Sequence, residues 1–175
     1  MYVDVPAPII DIRPIRGDRL QASHARLSPE TVYRRYLGHK PQLSIADTRY
    51  LVDIDGCHHF ALVATVDQDI IAVARFIRIE SQPGVAEFAI VVGDAYQRQG
   101  VATDLMRRLA EAAAERGLHR FRASILSDNV GIRRLMAKIA AGPLAEQRQG
   151  SVSEVEFELA GAVPAPRPAR GPGLR

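Results

Sequence analysis

The chain has 175 residues, a length that suits one compact domain. Hydrophobic residues make up 47% and charged residues 25%, the balance of a protein that buries a core, and no apolar run approaches the roughly 18 residues that span a bilayer. The formal charge is +3, but residues 160–175 hold three arginines and no acid, so the remainder is neutral and carries no basic stripe of the kind nucleic acid requires.

A single cysteine, Cys57, excludes an internal disulfide and fits a reducing compartment. The first residues, MYVDVPAPII, lack the basic start and apolar stretch of a secretion signal, so a cytoplasmic location without membrane attachment is expected. The last segment, AGAVPAPRPARGPGLR, has no hydrophobic period and cannot offset its ordering entropy. It is expected to be disordered, which leaves residues 1–159 as a single domain.

Residues 9–15 read as a short strand. Residues 17–37 are helical in character with a break at Ser28-Pro29, where serine can cap and proline can open a second helix. Residues 58–66 form a strand, Asp67-Gln68-Asp69 a hairpin turn and 70–80 the return strand. A turn at 81–84 carries the Pro83-Gly84 signal. Residues 85–92, VAEFAIVV, are apolar at nearly every position, the mark of a strand covered on both faces. After 93–100 comes the strongest helix: Val101, Leu105, Leu109 and Ala113 share a face, Arg107, Arg108 and Glu111 lie outside, and Gly117 stops it. Residues 118–126 are a strand, Asp128 or Asn129 caps a helix over 130–141, and 144–159 reads as two strands around Gly150. The order predicts an α+β fold: antiparallel hairpins, then strand–helix–strand, then a final pair.

The informative stretch is AEFAIVVGDAYQRQGVATDL, residues 86–105, where a buried strand ends and a loop runs straight into an amphipathic helix. The first amides of that helix lack intrahelical partners and sit at the positive end of its dipole, which suits phosphate or pyrophosphate. Gly100, without a Cβ, lets a ligand approach the backbone; taken alone it reads more simply as a tolerated glycine at a helix N-terminus. No Walker A loop and no dinucleotide fingerprint occurs. Glu87 is the only charge in 85–92; burial there would raise its pKa and suit it to act as a general base, whereas a solvent-facing carboxylate or one paired with Arg75 would be structural. Cys57-His58-His59 has no second ligand pair at metal spacing, so no metal is expected.

Gln97-Arg98-Gln99-Gly100-Val101-Ala102 resembles the Gln/Arg-x-x-Gly-x-Gly/Ala loop of the Gcn5-related N-acetyltransferases (GNAT), in which the loop likewise joins a central strand to a helix. A closer likeness, to bacterial protein-lysine acetyltransferase domains, rests on LSPETVYRRY (27–36), ALVA (61–64), VARFIR (73–78) and AEFAIVV (86–92). The resemblance implies a mixed, mostly antiparallel sheet flanked by helices on both faces, with acetyl-CoA as acyl donor and a primary amine as acceptor. A protein lysine leads among acceptors. A polyamine, amino acid or aminoglycoside is the alternative within the enzyme class, and an acyl-CoA-binding regulatory module without turnover the alternative outside it. An oligomer is compatible with this reading.

Residue by residue, the resemblance makes Glu87 the base that deprotonates the amine, often through water. Gln97, Arg98, Gln99, Gly100, Val101 and Ala102 become the pyrophosphate cradle, with Gln97 and Arg98 able to add side-chain contacts, although a solvated surface charge explains Arg98 equally well. Ile90 and Val92 would bond the pantetheine arm through their backbone. Asn129 matches an asparagine near that arm, and a helix N-cap explains it equally well. Many members carry a tyrosine seven residues further on as general acid; here that position is Met136.

Overall fold

A computed structural model describes residues 9–16 and 20–161 of the chain. The tail from residue 162 onward lies outside the described residues, as do 17–19. The elements are β1 (Asp11–Pro14), α1 (Leu20–Ala25), α2 (Pro29–Tyr36), α3 (Ile45–Val52), β2 (His59–Val66), β3 (Asp69–Arg78), β4 (Val85–Val92), α4 (Val101–Glu115), β5 (Arg120–Leu126), α5 (Val130–Ile139), β6 (Ala145–Gln149) and β7 (Val152–Glu158), with a 3-10 turn at Asp94–Tyr96. The strands form one seven-stranded sheet in the order β1-β2-β3-β4-β5-β7-β6. Every pairing is antiparallel except β4 with β5. The fold is α+β with helices on both faces, as the resemblance implied.

Strand alternation sorts the core into two layers. Leu62 and Ala64 of β2, with Ala72, Ala74 and Phe76 of β3, meet Leu105, Met106 and Leu109 of α4 on one face. Ala61, Val63 and Val73 turn to the other face, against Leu20 of α1 and Leu51 of α3. Five phenylalanines cross the first layer from strand to strand: Phe60 on Phe76, Phe76 on Phe121, and Phe121 with Phe88 and Phe157, at centroid separations of 5.3–6.2 Å. Each such pair adds about 0.5–1.5 kcal/mol beyond its burial.

Local chemistry accounts for the element ends. Ser28 caps α2 by accepting the Thr31 amide at 3.2 Å, and Pro29 opens the helix at the expected break. Asp67 and Gln68 both take positive φ (48° and 71°), the geometry of a tight hairpin turn between β2 and β3. The helix α3 has no counterpart in the sequence expectations. Its signal is a capping box, in which Ser44 Oγ accepts the Asp47 amide and Asp47 returns the bond to the Ser44 amide. Its face is too polar to display a period: only Leu51 is buried.

The strand β4 departs from expectation in an instructive way. It pairs with β3 along its whole length, from Arg78↔Ala86 to Ala72↔Val92. With β5 it pairs only at Val85, Ala86 and Glu87, opposite Arg120, Phe121 and Arg122. Beyond Glu87 the two strands part. Ala89, Ile90 and Val91 are therefore half-buried and Glu87 is exposed, although the apolar run had pointed to a strand covered on both faces. The run is apolar because the strand lines a gap. Among the described residues no helix is long and apolar enough to cross a membrane.

Candidate active site

The parting of β4 from β5 opens a groove of about 830 Å³. Its floor is Glu87–Val92 on one side and Ala123, Ser124 and Ile125 on the other, with α2 and the start of α5 as walls. The backbone along this floor has a definite polarity. The Val85 carbonyl accepts from Ile79 and the Gly93 amide donates to the Ile71 carbonyl, so odd-numbered residues of β4 turn their polar groups to β3. The even-numbered ones, Ile90 and Val92 among them, turn theirs toward the gap, where β5 no longer meets them. Both were expected to act through their backbone; the outward groups of Ile90 and the Val92 amide are available for that, while the Val92 carbonyl accepts from Gln97 Nε2. A buried strand edge without a partner is costly, so this edge is suited to an amide-bearing chain laid along it.

The loop that follows β4 leads into the N-terminus of α4. Arg98 (φ 61°) and Gly100 (φ 89°) both adopt the left-handed conformation, which glycine takes without a Cβ penalty. A Cβ built on Gly100 meets nothing within 4 Å, so the space above it is free. No side chain caps α4, and the amides of Thr103 and Asp104 fold back on the Gly100 carbonyl at 2.9 and 3.1 Å. The amides of Val101 and Ala102 have no intrahelical acceptor, the arrangement that suits an anion. Arg98, Gly100 and Ala102 line the groove; Gln99 is exposed outside it, and the Val101 side chain is buried in the core, so those two contribute only backbone.

The two glutamines of the loop are used within the protein. Gln97 Nε2 donates to the Val92 carbonyl and to Thr31 Oγ1, both at 3.1 Å, and Gln99 Nε2 donates to the Ala95 carbonyl at 2.7 Å. The Gln97 side chain, which could add a phosphate contact, here forms a structural bridge from the loop to α2 through Nε2. Arg98 is an exposed cation on the groove wall. Asn129 caps α5 by accepting the Ile132 amide at 3.2 Å, receives Arg34 Nη1 at 3.5 Å, and lines the groove. The cap and a place on the groove wall thus coexist.

Glu87 is the groove's free carboxylate: among the described residues it makes no hydrogen bond and no ion pair, and it is not paired with Arg75. The burial from which a general base was argued is absent, since the side chain is exposed where it lines the groove. The charge of Glu87 nonetheless acts on two guanidiniums. Arg35, on α2, is pulled below its ordinary pKa by burial, against the pull of Tyr36, Glu87 and Tyr50. Arg122, opposite Glu87 on β5, is raised first by its hydrogen bonds to Glu156, at 2.9 and 2.7 Å, with Glu87 a smaller contributor. Met136 is wholly buried and offers nothing to the groove.

Sequence reasoning missed Asp94. Its Oδ2 accepts the Ser28 amide at 2.8 Å, and its Oδ1 accepts Ser28 Oγ and Thr31 Oγ1, each at 2.7 Å. One carboxylate thus clips the N-terminus of α2 to the loop after β4. Partial burial opposes its charge, and the bonds from Ser28 and Thr31 outweigh that and hold its pKa below the usual value. The partners lie 63 to 66 residues away, beyond any local pattern. At Cys57-His58-His59 the Asp55 carboxylate gathers all three amides, Cys57 and His58 are exposed, and His59 turns inward. Among the described residues no three His, Cys, Asp or Glu side chains are grouped to hold a metal ion.

Comparison with known proteins bears on this geometry. Residues 27–140 match the model of the acetyltransferase (GNAT) family. The acetyltransferase Pat of Mycolicibacterium smegmatis is 35% identical over 140 residues, which are 78% of this chain and 41% of that protein. An acetyltransferase of Pseudomonas aeruginosa is 33% identical over 113 residues, 61% of this chain and 60% of that one. The chain therefore spans about half the length of these two curated relatives. The crystal structure of the GNAT domain of S. lividans PAT superposes with a TM-score of 0.76 at 31% identity, covering 85% of this chain and 89% of that one. A groove between parted strands, headed by an uncapped helix, and a family match that takes in both place the chain in the GNAT family of acetyltransferases.

Proposed function

We propose that the protein transfers an acetyl group from acetyl-CoA to a primary amine, with a protein lysine as the leading acceptor. The free carboxylate of Glu87, at the point where β4 leaves β5, carries this reading. The pantetheine arm would lie along the gap and bond the outward backbone groups of Ile90 and Val92. The amides around Gly100–Ala102 would hold the pyrophosphate, with Asn129 at the opposite wall. Glu87, directly or through water, takes a proton from the amine. The amine nitrogen forms its bond to the thioester carbonyl carbon, the carbonyl oxygen is polarised by the outward amide of Val92, and the C–S bond breaks to release the CoA thiolate. A thiol pKa of about 8.5 makes that thiolate a tolerable leaving group without the tyrosine that Met136 replaces.

The likeness to the Pat proteins supports a lysine acceptor. Incubation with labelled acetyl-CoA and either a protein lysate or a panel of small amines tests it. Label on protein that disappears in Glu87→Gln is the expected result; label confined to small amines would transfer the assignment to them. The buried Met136 favours a second reading, a module that binds acyl-CoA without turnover. That reading prevails if CoA binds and no acceptor of any class is labelled.

A further inference from the structure

Beside the groove, on the face of the sheet that carries Glu87, a second cavity of about 380 Å³ lies between α1 and α2 and the strands β3 and β4. Its walls are largely aliphatic, including Leu20, Leu43, Leu51 and Val73, yet three arginines line it: Arg26, which is paired with Asp69, and Arg35 and Arg75. Arg35, Tyr36, Ala89 and Val91 line this cavity and the groove alike, so the two spaces adjoin.

Among the described residues, neither Arg35 nor Arg75 has a counter-ion within ion-pairing distance. Arg75 is 5% exposed and donates only to neutral acceptors, the Leu51 carbonyl at 3.0 Å and His59 Nε2 at 3.2 Å. Burial, and then the charge of Arg35, lower its pKa from 12.5 to about 10. Arg35 is half-buried and, among the described residues, makes no hydrogen bond or ion pair; its guanidinium rests 4.8 Å from the centroid of the Tyr36 ring. The acids lining the cavity are engaged elsewhere: Asp69 pairs with Arg26 at 3.5 Å, and Asp94 clips α2. Glu87, whose field reaches Arg35, stays beyond ion-pairing distance.

Two cations converging on a mostly apolar space without an anion are costly, and a carboxylate entering that space would offset the cost while forming charge-assisted bonds to a planar fork. Its position relative to the reacting amine follows from the sheet. Arg75 stands opposite Ala89, which is two residues from Glu87 on the same side of β4. Such residues are about 7 Å apart, a separation that one small molecule or two adjacent side chains can span.

We propose that the acceptor amine carries a carboxylate a few bonds away, and that Arg35, backed by Arg75, holds it while the amine faces Glu87. The proposal rests on the acetyl-transfer reading above. The same chemistry comes from an acidic residue beside the target lysine of a protein or from a free amine that is also a carboxylic acid.

The test is a comparison of kcat/KM within two pairs of acceptors. One pair is a blocked peptide containing Asp-Lys and its Asn-Lys counterpart; the other is δ-aminovalerate and its primary amide. At least one pair should favour the carboxylate about tenfold, the scale of one charge-assisted contact. That ratio should collapse toward one in Arg35→Gln and survive in Arg35→Lys, and the pair that shows it identifies the source. Ratios near one in both pairs overturn the inference while leaving acetyl transfer standing. So does transfer to lysate proteins with none of the four probes used. Absence of label on every acceptor instead removes the proposed function itself.

Discussion

Replacing Asp94 with alanine removes three hydrogen bonds from one carboxylate, at 2.7–2.8 Å, and frees the first turn of α2 from the loop after β4. A shielded hydrogen bond to a charged group contributes roughly 1.5–3 kcal/mol. Asp94 is exposed, so water competes and each bond falls toward the range of about 0.2–1 kcal/mol found for surface pairs. Together they give about 1–2 kcal/mol, or roughly 3–6 °C in the unfolding midpoint of a domain this size. Calorimetric or optical melting reads that directly. Kinetics should separate the substrates: acceptor KM rises, because α2 carries Arg34, Arg35 and Tyr36 to the groove, while CoA affinity changes less. A double-mutant cycle with Thr31→Val should return a coupling of about 0.5–1 kcal/mol. Since the folded-state pKa of Asp94 is depressed, its contribution is complete above the unfolded carboxyl value of about 4 and is lost as pH falls through the folded value. Additivity of the two substitutions within about 0.3 kcal/mol, with acceptor KM unmoved, would refute the clip.

Glu87→Gln should lower kcat/KM by about 10²–10⁴, the range of a lost general base, with CoA affinity by calorimetry unchanged. Gly100→Ala meets no neighbour within 4 Å, so its cost is the left-handed backbone alone; about 1–2 kcal/mol of strain should reset the loop and weaken CoA binding about tenfold. Acid should destabilise the fold in a defined window. Hydrogen bonds from Lys40 and then Ser44 hold Asp47 at about 2, and those from Arg133 and then Ser153 hold Glu146 at about 2. The stability these groups contribute is present above pH ~4 and lost as pH falls toward 2. Urea midpoints measured against pH check this, and Glu146→Gln should flatten the slope; an unaltered slope would count against the pairing with Arg133.

Much of the architecture was legible because it rests on local rules. The break at Ser28-Pro29, the hairpin at Asp67-Gln68, the amphipathic face of α4 and the stop at Gly117 each follow from residues within one turn of the feature. Ile90 and Val92 at a strand end and Gly100 at a helix start could be located from the chain because a strand running into a helix N-terminus is itself a local signal. The helix α3 escaped because a short helix with a single buried side chain shows no periodicity. The apolar run of β4 misled for a physical reason: a strand that lines a half-buried groove has the composition of one covered by another element. The burial argued for Glu87 rested on the same premise, and the solvent-facing alternative is what the structure shows. The Asp94 clip and the Arg35–Arg75 convergence bring together residues 40 to 66 positions apart, and nothing near any of them in the chain announces the partner.

The three-pair ladder between β4 and β5 divides the molecule more deeply than its single sheet implies. Strands β1 to β4 and strands β5 to β7 form two blocks, fastened along a seam by that short ladder, by the packing of α4 on α5 and by the rings of Phe88, Phe121 and Phe157. Amides along the seam should therefore exchange with solvent ahead of those within either block. A molecule lying in the gap acts as a rivet: it joins the two blocks where the chain itself does not, and its binding raises the resistance of the whole protein to unfolding in proportion to the logarithm of its concentration.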